Sequence, residues 1–204
     1  MKYSCDSVYD GPPGRLCYNQ HMSPEVNELS KSEMTSSVVI ELYNLLGNNE
    51  VKIWVEGGWG VDALLEKQSR PHNDLDIAVQ GKDLSNMNDL LRAQGYKEKG
   101  EEHARPWNFV LIDEAGREID VHVIDIDESG NGIYGPVENG VYYPASALTG
   151  AGIIDGCKVQ CISPGDMVKF HSGYDLREKD YHDVSALCEK FGIDLPEEYK
   201  RFTN

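Results

Sequence analysis

From residue 35 onward, apolar residues recur at Val38, Val39, Leu42, Leu45 and Leu46, a helical spacing that Gly47-Asn48-Asn49 closes. Residues 51–55 form a compact apolar run that ends on Glu56-Gly57-Gly58 and predicts a short buried strand. A second helix is expected over 61–65. Residues 75–79 predict another strand, set off by the polar run 70–74, and residues 84–93 a helix stopped at Gly95. Two alternating runs, 108–113 and 118–125, flank Glu114-Ala115-Gly116-Arg117 and predict a hairpin. Residues 127–140, rich in Gly and Pro, read as a loop over a site. The last strand is expected over 158–162. Ser163-Pro164 then supplies an N-cap and a first helical position, and helix is expected to about residue 191.

Residues 1–33 break with this pattern. Asp10-Gly11-Pro12-Pro13-Gly14 interrupts any regular element, and no apolar period follows before Val38. The expected organisation is therefore an irregular N-terminal extension over 1–33 and an α/β (α+β) domain over 34–162. That domain has a mixed sheet with flanking helices, and a small helical C-terminal lobe follows over 163–204. Met22 and Met34 are alternative starts.

Composition narrows the function classes. The 204 residues suffice for one substantial core or two small lobes. Lys and Arg number 19 against 35 Asp and Glu, a net charge of −16. Such a surface repels nucleic-acid backbones and anionic lipid, and favours cationic partners or bound metal ions. No apolar run spans a bilayer and the N-terminus lacks a signal-peptide core, so neither membrane nor secretion is expected. Five scattered cysteines fit a reduced, cytoplasmic protein.

The chemistry concentrates in Gly57-Gly58-Trp59-Gly60-Val61-Asp62 and Arg70-Pro71-His72-Asn73-Asp74-Leu75-Asp76-Ile77. Two glycines between a strand and a helix let backbone N–H groups approach an anion, although many such joints use glycine for turning alone. Asp74 and Asp76, two apart on a strand, share one face while Leu75 and Ile77 face the core. Carboxylates so placed grip one hard cation from one side, as Mg²⁺ sites that also take phosphate oxygens require. The 118–123 run alternates likewise, with Asp120 and His122 on one face and Ile119, Val121 and Val123 on the other. If the two strands are neighbours, three carboxylates converge. Their repulsion makes best sense around divalent metal, with Asp120 as a third ligand or a base for an attacking hydroxyl. Together these features point to phosphoryl or nucleotidyl transfer.

The segments 57–62, 70–77, Ile119-Asp120-Val121-His122, Cys161-Ile162-Ser163 and 170–180 resemble the nucleotidyltransferase superfamily. Within it they resemble the lincosamide nucleotidyltransferases and, slightly less, the aminoglycoside 2″-nucleotidyltransferases. The resemblance runs from about residue 34 to 192. It implies transfer of AMP from ATP to a hydroxyl of a small antibiotic. Asp74, Asp76 and Asp120 would hold Mg²⁺, Asp120 would be the catalytic base, and Gly57 and Gly58 would cradle the triphosphate. Arg70, His72 and Lys179 would bind the nucleotide, with Lys169 a lesser candidate for the leaving pyrophosphate. His72 could instead cap a turn. His122 and Tyr142 are candidate acceptor contacts, His122 alternatively bonding Asp120, and Tyr134 and Tyr143 could join Tyr142 in walling a pocket. The chain departs from the lincosamide pattern at Ala78-Val79-Gln80, where those enzymes tend to carry more acid.

Other readings stand beside this one. Trp59 packs between lobes or stacks on adenine. Cys157, Cys161, His171 and His182 could be imagined as a zinc site, but no paired motif supports it. AMP transfer to a protein partner, or a non-catalytic metal-binding fold, would use the same core. A monomer or a homodimer suits the length.

Overall fold

The computed structural model describes residues 32–203; the expected extension over 1–33 lies almost wholly outside them. Helix α1 spans Ser36–Asn48 and buries Val39, Leu42 and Leu46. Strand β1 (Ile53–Val55) leads into α2 (Gly57–Leu65), and β2 (Asp74–Gln80) is followed by α3 (Leu84–Ala93). Strands β3 (Lys97–Glu98), β4 (Asn108–Ile112) and β5 (Glu118–Ile126) come next, then β6 (Gly132–Tyr134), β7 (Tyr142–Tyr143), β8 (Gly150–Ile154) and β9 (Cys157–Cys161). Helices α4 (Pro164–Phe170) and α5 (Glu178–Phe191) close the order, with a final 3₁₀ turn over Glu197–Phe202.

The strands form one mixed sheet in the order β3-β4-β5-β2-β1-β9-β8, and β6 extends from β5 to pair with β7. The central β2 runs parallel to β5 and antiparallel to β1, while β1 meets β9 in parallel. This is the mixed α/β architecture expected from the sequence. Its core gathers Leu75, Ile77, Val79, Ile119, Val121 and residues of α1 and α3, all buried. Period-two alternation sends these side chains to one face of β2 and β5 and leaves Asp74, Asp76 and Asp120 on the other.

Three expectations require correction, and one strand went unpredicted. Helix α2 begins at Gly57, four residues before the apolar spacing starts at Val61, because the glycines themselves occupy its first turn. Residues 127–140 are not all loop: β6 joins the sheet beside β5, and a 3₁₀ turn covers Val137–Asn139. Strand β8 was hidden by two glycines among its five residues, Gly150-Ala151-Gly152-Ile153-Ile154. The helix expected from 163 to 191 breaks over 171–177, where Ser172-Gly173 interrupts it and Gly173 takes φ +80°. His171 and His182 therefore do not share one continuous helical face. Among the described residues Cys157, Cys161 and Cys188 are unbridged.

The start of α4 is tied down by Asp166, which is buried. Its Oδ2 accepts from the hydroxyls of Ser163 (2.9 Å) and Ser146 (3.0 Å), and its Oδ1 from Lys169 Nζ (2.8 Å). Burial opposes ionisation here, but these donors outweigh it and hold the carboxyl below the usual range. The stabilisation is thus present above the unfolded pKa of about 4 and lost as pH falls through the folded value. Asp166→Asn is expected to lower unfolding stability at pH 7 by about 1–3 kcal/mol. In denaturant melts at descending pH, the gap between wild type and variant should close at acidic pH; a constant gap would contradict the assignment.

Candidate active site

The site is built where β1 ends beside β2. The Glu56 N–H donates to the Asp76 carbonyl (2.9 Å), which clamps the turn against the strand. Gly57 then adopts φ +51°, the left-handed region, and a Cβ there would lie 1.9 Å from Asp76 Oδ2. The residue must be glycine for the carboxylate to occupy that space. A Cβ on Gly58 would meet His72 Nδ1 at 2.4 Å and Arg70 Nη2 at 2.7 Å. The two glycines thus admit side chains from the 70–76 segment on both sides of the turn.

Parallel pairing of β2 with β5 sets Asp76 opposite Asp120 and Asp74 opposite Glu118. Asp74 is exposed, and Asp76 and Asp120 are half-buried. The Asp76 carboxyl is pushed up to about 7, first by burial, then by Asp74 and Asp120, with Glu56 adding to the repulsion. Burial also raises Asp120, with Glu56 and Asp74 in the same sense, against the opposing pull of His122 and of Asn108, whose Nδ2 donates to Oδ1 at 3.0 Å.

His122 does not bond Asp120 directly; its Nε2 is 3.8 Å from Asp120 Oδ1. Its Nδ1 instead pairs with Glu56 Oε2 at 2.8 Å. Burial disfavours the imidazolium, but Glu56, Asp120 and Asp76 overcome it and push the pKa up to about 9. The Tyr143 hydroxyl donates to the same Glu56 oxygen at 3.3 Å. A ladder of edge-on rings continues from His122 through Tyr134 and Tyr143 to Phe170, with centroids 5.6, 6.0 and 5.0 Å apart.

Behind the turn lies a second polar chain. His72 and Asp62 are each 2% exposed, and His72 Nε2 meets Asp62 Oδ2 at 2.5 Å. Arg70 Nη1 lies 3.0 Å from His72 Nδ1. Arginine can only donate, so Nδ1 accepts and the ring proton sits on Nε2, facing Asp62. Ser69 donates its N–H (3.0 Å) and hydroxyl (2.6 Å) to Asp62 Oδ1. Arg70 forks onto Asp183 of α5, with Nε to Oδ1 at 3.0 Å and Nη2 to Oδ2 at 2.5 Å. The expected contact of His72 with nucleotide is therefore replaced by a buried place behind Arg70. Trp59 is likewise in the core, its indole N–H donating to the Met34 carbonyl, and is closed to adenine.

These groups border a cleft of about 510 Å³. Gly57, Gly58, Arg70, Asp74, Asp76 and Lys179 line it, as do His122 and the tyrosines Tyr134, Tyr142 and Tyr143. Asp120 and His72 stand outside the lining. Lys169 is turned away to Asp166. Sequence reasoning missed Glu56, Phe170, Arg177 and the Asp62–His72–Arg70–Asp183 chain. Two signals were available: Asp62 is a lone carboxylate inside the apolar run Val61–Leu65, and Glu56 ends an apolar strand immediately before the glycine pair.

The donor chemistry suits a hard divalent cation. Two carboxylates on one strand face, with Asp76 raised by burial and by its like-charged neighbours, favour a bound positive charge. No group of three or more His, Cys, Asp and Glu side chains among the described residues is arranged to hold a metal unaided. Mg²⁺ sites commonly take one or two carboxylates and leave the remaining positions to water and phosphate oxygens. Among the described residues no helix is long and apolar enough to cross a membrane.

The profile of the aminoglycoside-2″-adenylyltransferase family matches residues 38–187. A lincosamide resistance protein of Staphylococcus haemolyticus is 31% identical over 159 residues, covering 78% of this chain and 98% of that protein. The crystal structure of the lincosamide antibiotic adenylyltransferase LnuA, lincomycin-bound, is similar with a TM-score of 0.67 and 31% identity, over 76% of this chain and 98% of that one. ANT(2″)-Ia in complex with adenylyl-2″-tobramycin shares the fold at a TM-score of 0.60 and 17% identity, over 83% and 98% of the two chains.

The Arg70–Asp183 fork joins the turn to α5 with one partner almost fully buried. Arg70→Ala leaves Asp183 with His182 as its remaining ion-pair partner among the described residues. A loss of about 3 kcal/mol in unfolding free energy is expected, since stranding a buried charge is costly. Denaturant unfolding of the variant within about 0.5 kcal/mol of wild type would show that the fork does not hold α5 in place.

Proposed function

The chain belongs to the aminoglycoside-2″-adenylyltransferase family, and we propose that it transfers AMP from MgATP to a hydroxyl of a lincosamide antibiotic. It is a nucleotidyltransferase of the antibiotic adenylyltransferase kind. The observation that carries the reading is the placement of Asp74 and Asp76 in the cleft beside Gly57-Gly58, with Asp120 opposite Asp76 in register. A concave site of about 510 Å³ suits a small acceptor better than a protein surface. Lincosamide is favoured by the 31% identity to LnuA over nearly all of that chain and by the aromatic side of the cleft. Aminoglycosides are the second acceptor class, because Glu56, Asp74 and Asp180 in the cleft suit a polycation.

In this proposal Asp74 and Asp76 hold Mg²⁺, with Asp120 as the third carboxylate. The bound cation supplies neutralisation of phosphate charge. The N–H groups of the Gly57-Gly58 turn receive phosphate oxygens at the start of α2. Arg70, fixed in direction by Asp183 and His72, and Lys179 on α5 face the charge that builds on the departing pyrophosphate. The drug hydroxyl oxygen forms a bond to the α-phosphorus as the bond to the bridging β-phosphate oxygen breaks. Its proton passes to an Asp120 carboxylate oxygen. Tyr142 and its neighbouring tyrosines orient the drug.

Pyrophosphate release from MgATP, measured with a panel of lincosamides and aminoglycosides together with adduct mass, tests the reading. Release that depends on a lincosamide, with a product heavier by one AMP unit, is expected; a protein that binds MgATP but adenylylates no drug would overturn it. Gly57→Ala drives a methyl group into Asp76 and should cut the rate about 100-fold, as small displacements of reacting groups do. A variant with more than half the wild-type rate would remove the Gly57–Asp76 contact from the account.

A further inference from the structure

One charged group in the cleft has no part in the metal, nucleotide or proton-transfer roles above. Glu56 is 6% exposed and lines the cleft. Among the described residues, only one of its carboxylate oxygens is hydrogen-bonded. Oε2 takes both His122 Nδ1 and the Tyr143 hydroxyl, while the buried Oε1 has no hydrogen-bond partner among the described residues. Buried carboxylate oxygens are costly to leave without donors, and an exception inside a binding cleft points to a donor that arrives with the ligand.

Position decides which ligand that is. The lysine and arginine side chains of the cleft, Arg70, Arg177 and Lys179, lie toward α5, where pyrophosphate is proposed to leave. Glu56 instead joins the aromatic side: its two partners, His122 and Tyr143, pack edge-on against Tyr134, and Tyr143 also against Phe170. Held by Oε2 within this ladder, the carboxylate has a fixed rotamer and one oxygen to offer. A carboxylate beside aromatic faces is the chemistry that receives an ammonium or hydroxyl on a largely apolar body. Phosphate, itself an acceptor and anionic, is excluded from such a partner.

We infer that Glu56 is the specificity-determining residue for the acceptor drug, its free carboxylate oxygen accepting a hydrogen bond from an ammonium or hydroxyl donor of the lincosamide while Tyr134, Tyr142 and Phe170 border the drug's apolar body. The inference rests on the lincosamide reading above.

Calorimetric titration of a lincosamide into full-length wild type and Glu56→Gln, each saturated with Mg²⁺ and a non-hydrolysable ATP analogue, tests it. The glutamine variant should bind the drug about tenfold or more weakly, the effect of losing one charge-assisted hydrogen bond. Its affinity for the Mg²⁺–nucleotide analogue should stay within about twofold of wild type. Glu56→Asp keeps the charge with a shorter reach and should fall between the two, which covers the case of a glutamine variant that does not fold. A lincosamide with its amine acylated identifies the donor. Equal affinity for wild type and Glu56→Gln assigns the ammonium, and a persisting loss assigns a hydroxyl. Unchanged drug affinity in Glu56→Gln would overturn the inference, as would a parallel loss of Mg²⁺–nucleotide affinity, which would place Glu56 in the metal site. A wild type that binds the nucleotide analogue but no lincosamide would overturn the functional reading and this inference with it.

Discussion

Asp76 is a carboxylate that the fold forces into repulsive company. It is partly desolvated, has Asp74 on its own strand and Asp120 across the parallel ladder, and its ionised form is disfavoured accordingly. Among the described residues His122 offsets part of this, and no lysine or arginine joins it. The protein holds the arrangement in place with apolar burial on the far face of the same strands, where Leu75, Ile77, Ile119 and Val121 are each at most 1% exposed. Fully burying a side chain of this kind is worth about 1.5–3 kcal/mol. That is enough for the strand pair to tolerate a charge cluster on its open face. Gly57 completes the constraint by giving the carboxylate room that any Cβ would take.

The rest of the site depends on the same turn. Residues 70–76 pass behind Gly58, so that Arg70 is anchored to α5 through Asp183 and to α2 through His72 and Asp62. A cation aimed at the cleft thereby has its direction set by buried groups in two helices. On the opposite side, the short strands β6 and β7 bring Tyr134 and Tyr143 against His122. The cleft is thus cationic toward α5, carboxylate-rich along β2 and aromatic toward β6 and β7. That graded lining is the physical basis for proposing a triphosphate at one end and a drug at the other.

Much of this was legible in the sequence, for local reasons. Alternation in Asp74-Leu75-Asp76-Ile77 and Ile119-Asp120-Val121-His122 fixed which side chains share a face, and the structure brings the two strands into direct register. Helix α3 has the bounds its apolar spacing predicts. What was not legible depends on contacts distant in the chain. His72 reads as a site residue from its place two before Asp74, yet its partners come from residues 62 and 70 and its burial from α2. Glu56 reads as a strand end, and its meaning comes from His122, 66 positions away. Strands β6 and β8 escaped because Gly132, Gly150 and Gly152 weaken the alternation by which strands are recognised, and β7 because it is only two residues long.

The central claim is that repulsion at Asp76 is built into the fold and is offset by a divalent cation carrying nucleotide. Thermal unfolding at pH 7.5 of wild type and Asp76→Asn, each with and without Mg²⁺ and a non-hydrolysable ATP analogue, tests it most directly. The account predicts that, free of cation, the asparagine variant melts higher than wild type by about 3 °C or more. It also predicts that Mg²⁺ with nucleotide raises the melting point of wild type and leaves that of the variant nearly unchanged. A variant that melts lower than wild type without cation, yet gains as much from Mg²⁺ and nucleotide, would contradict it.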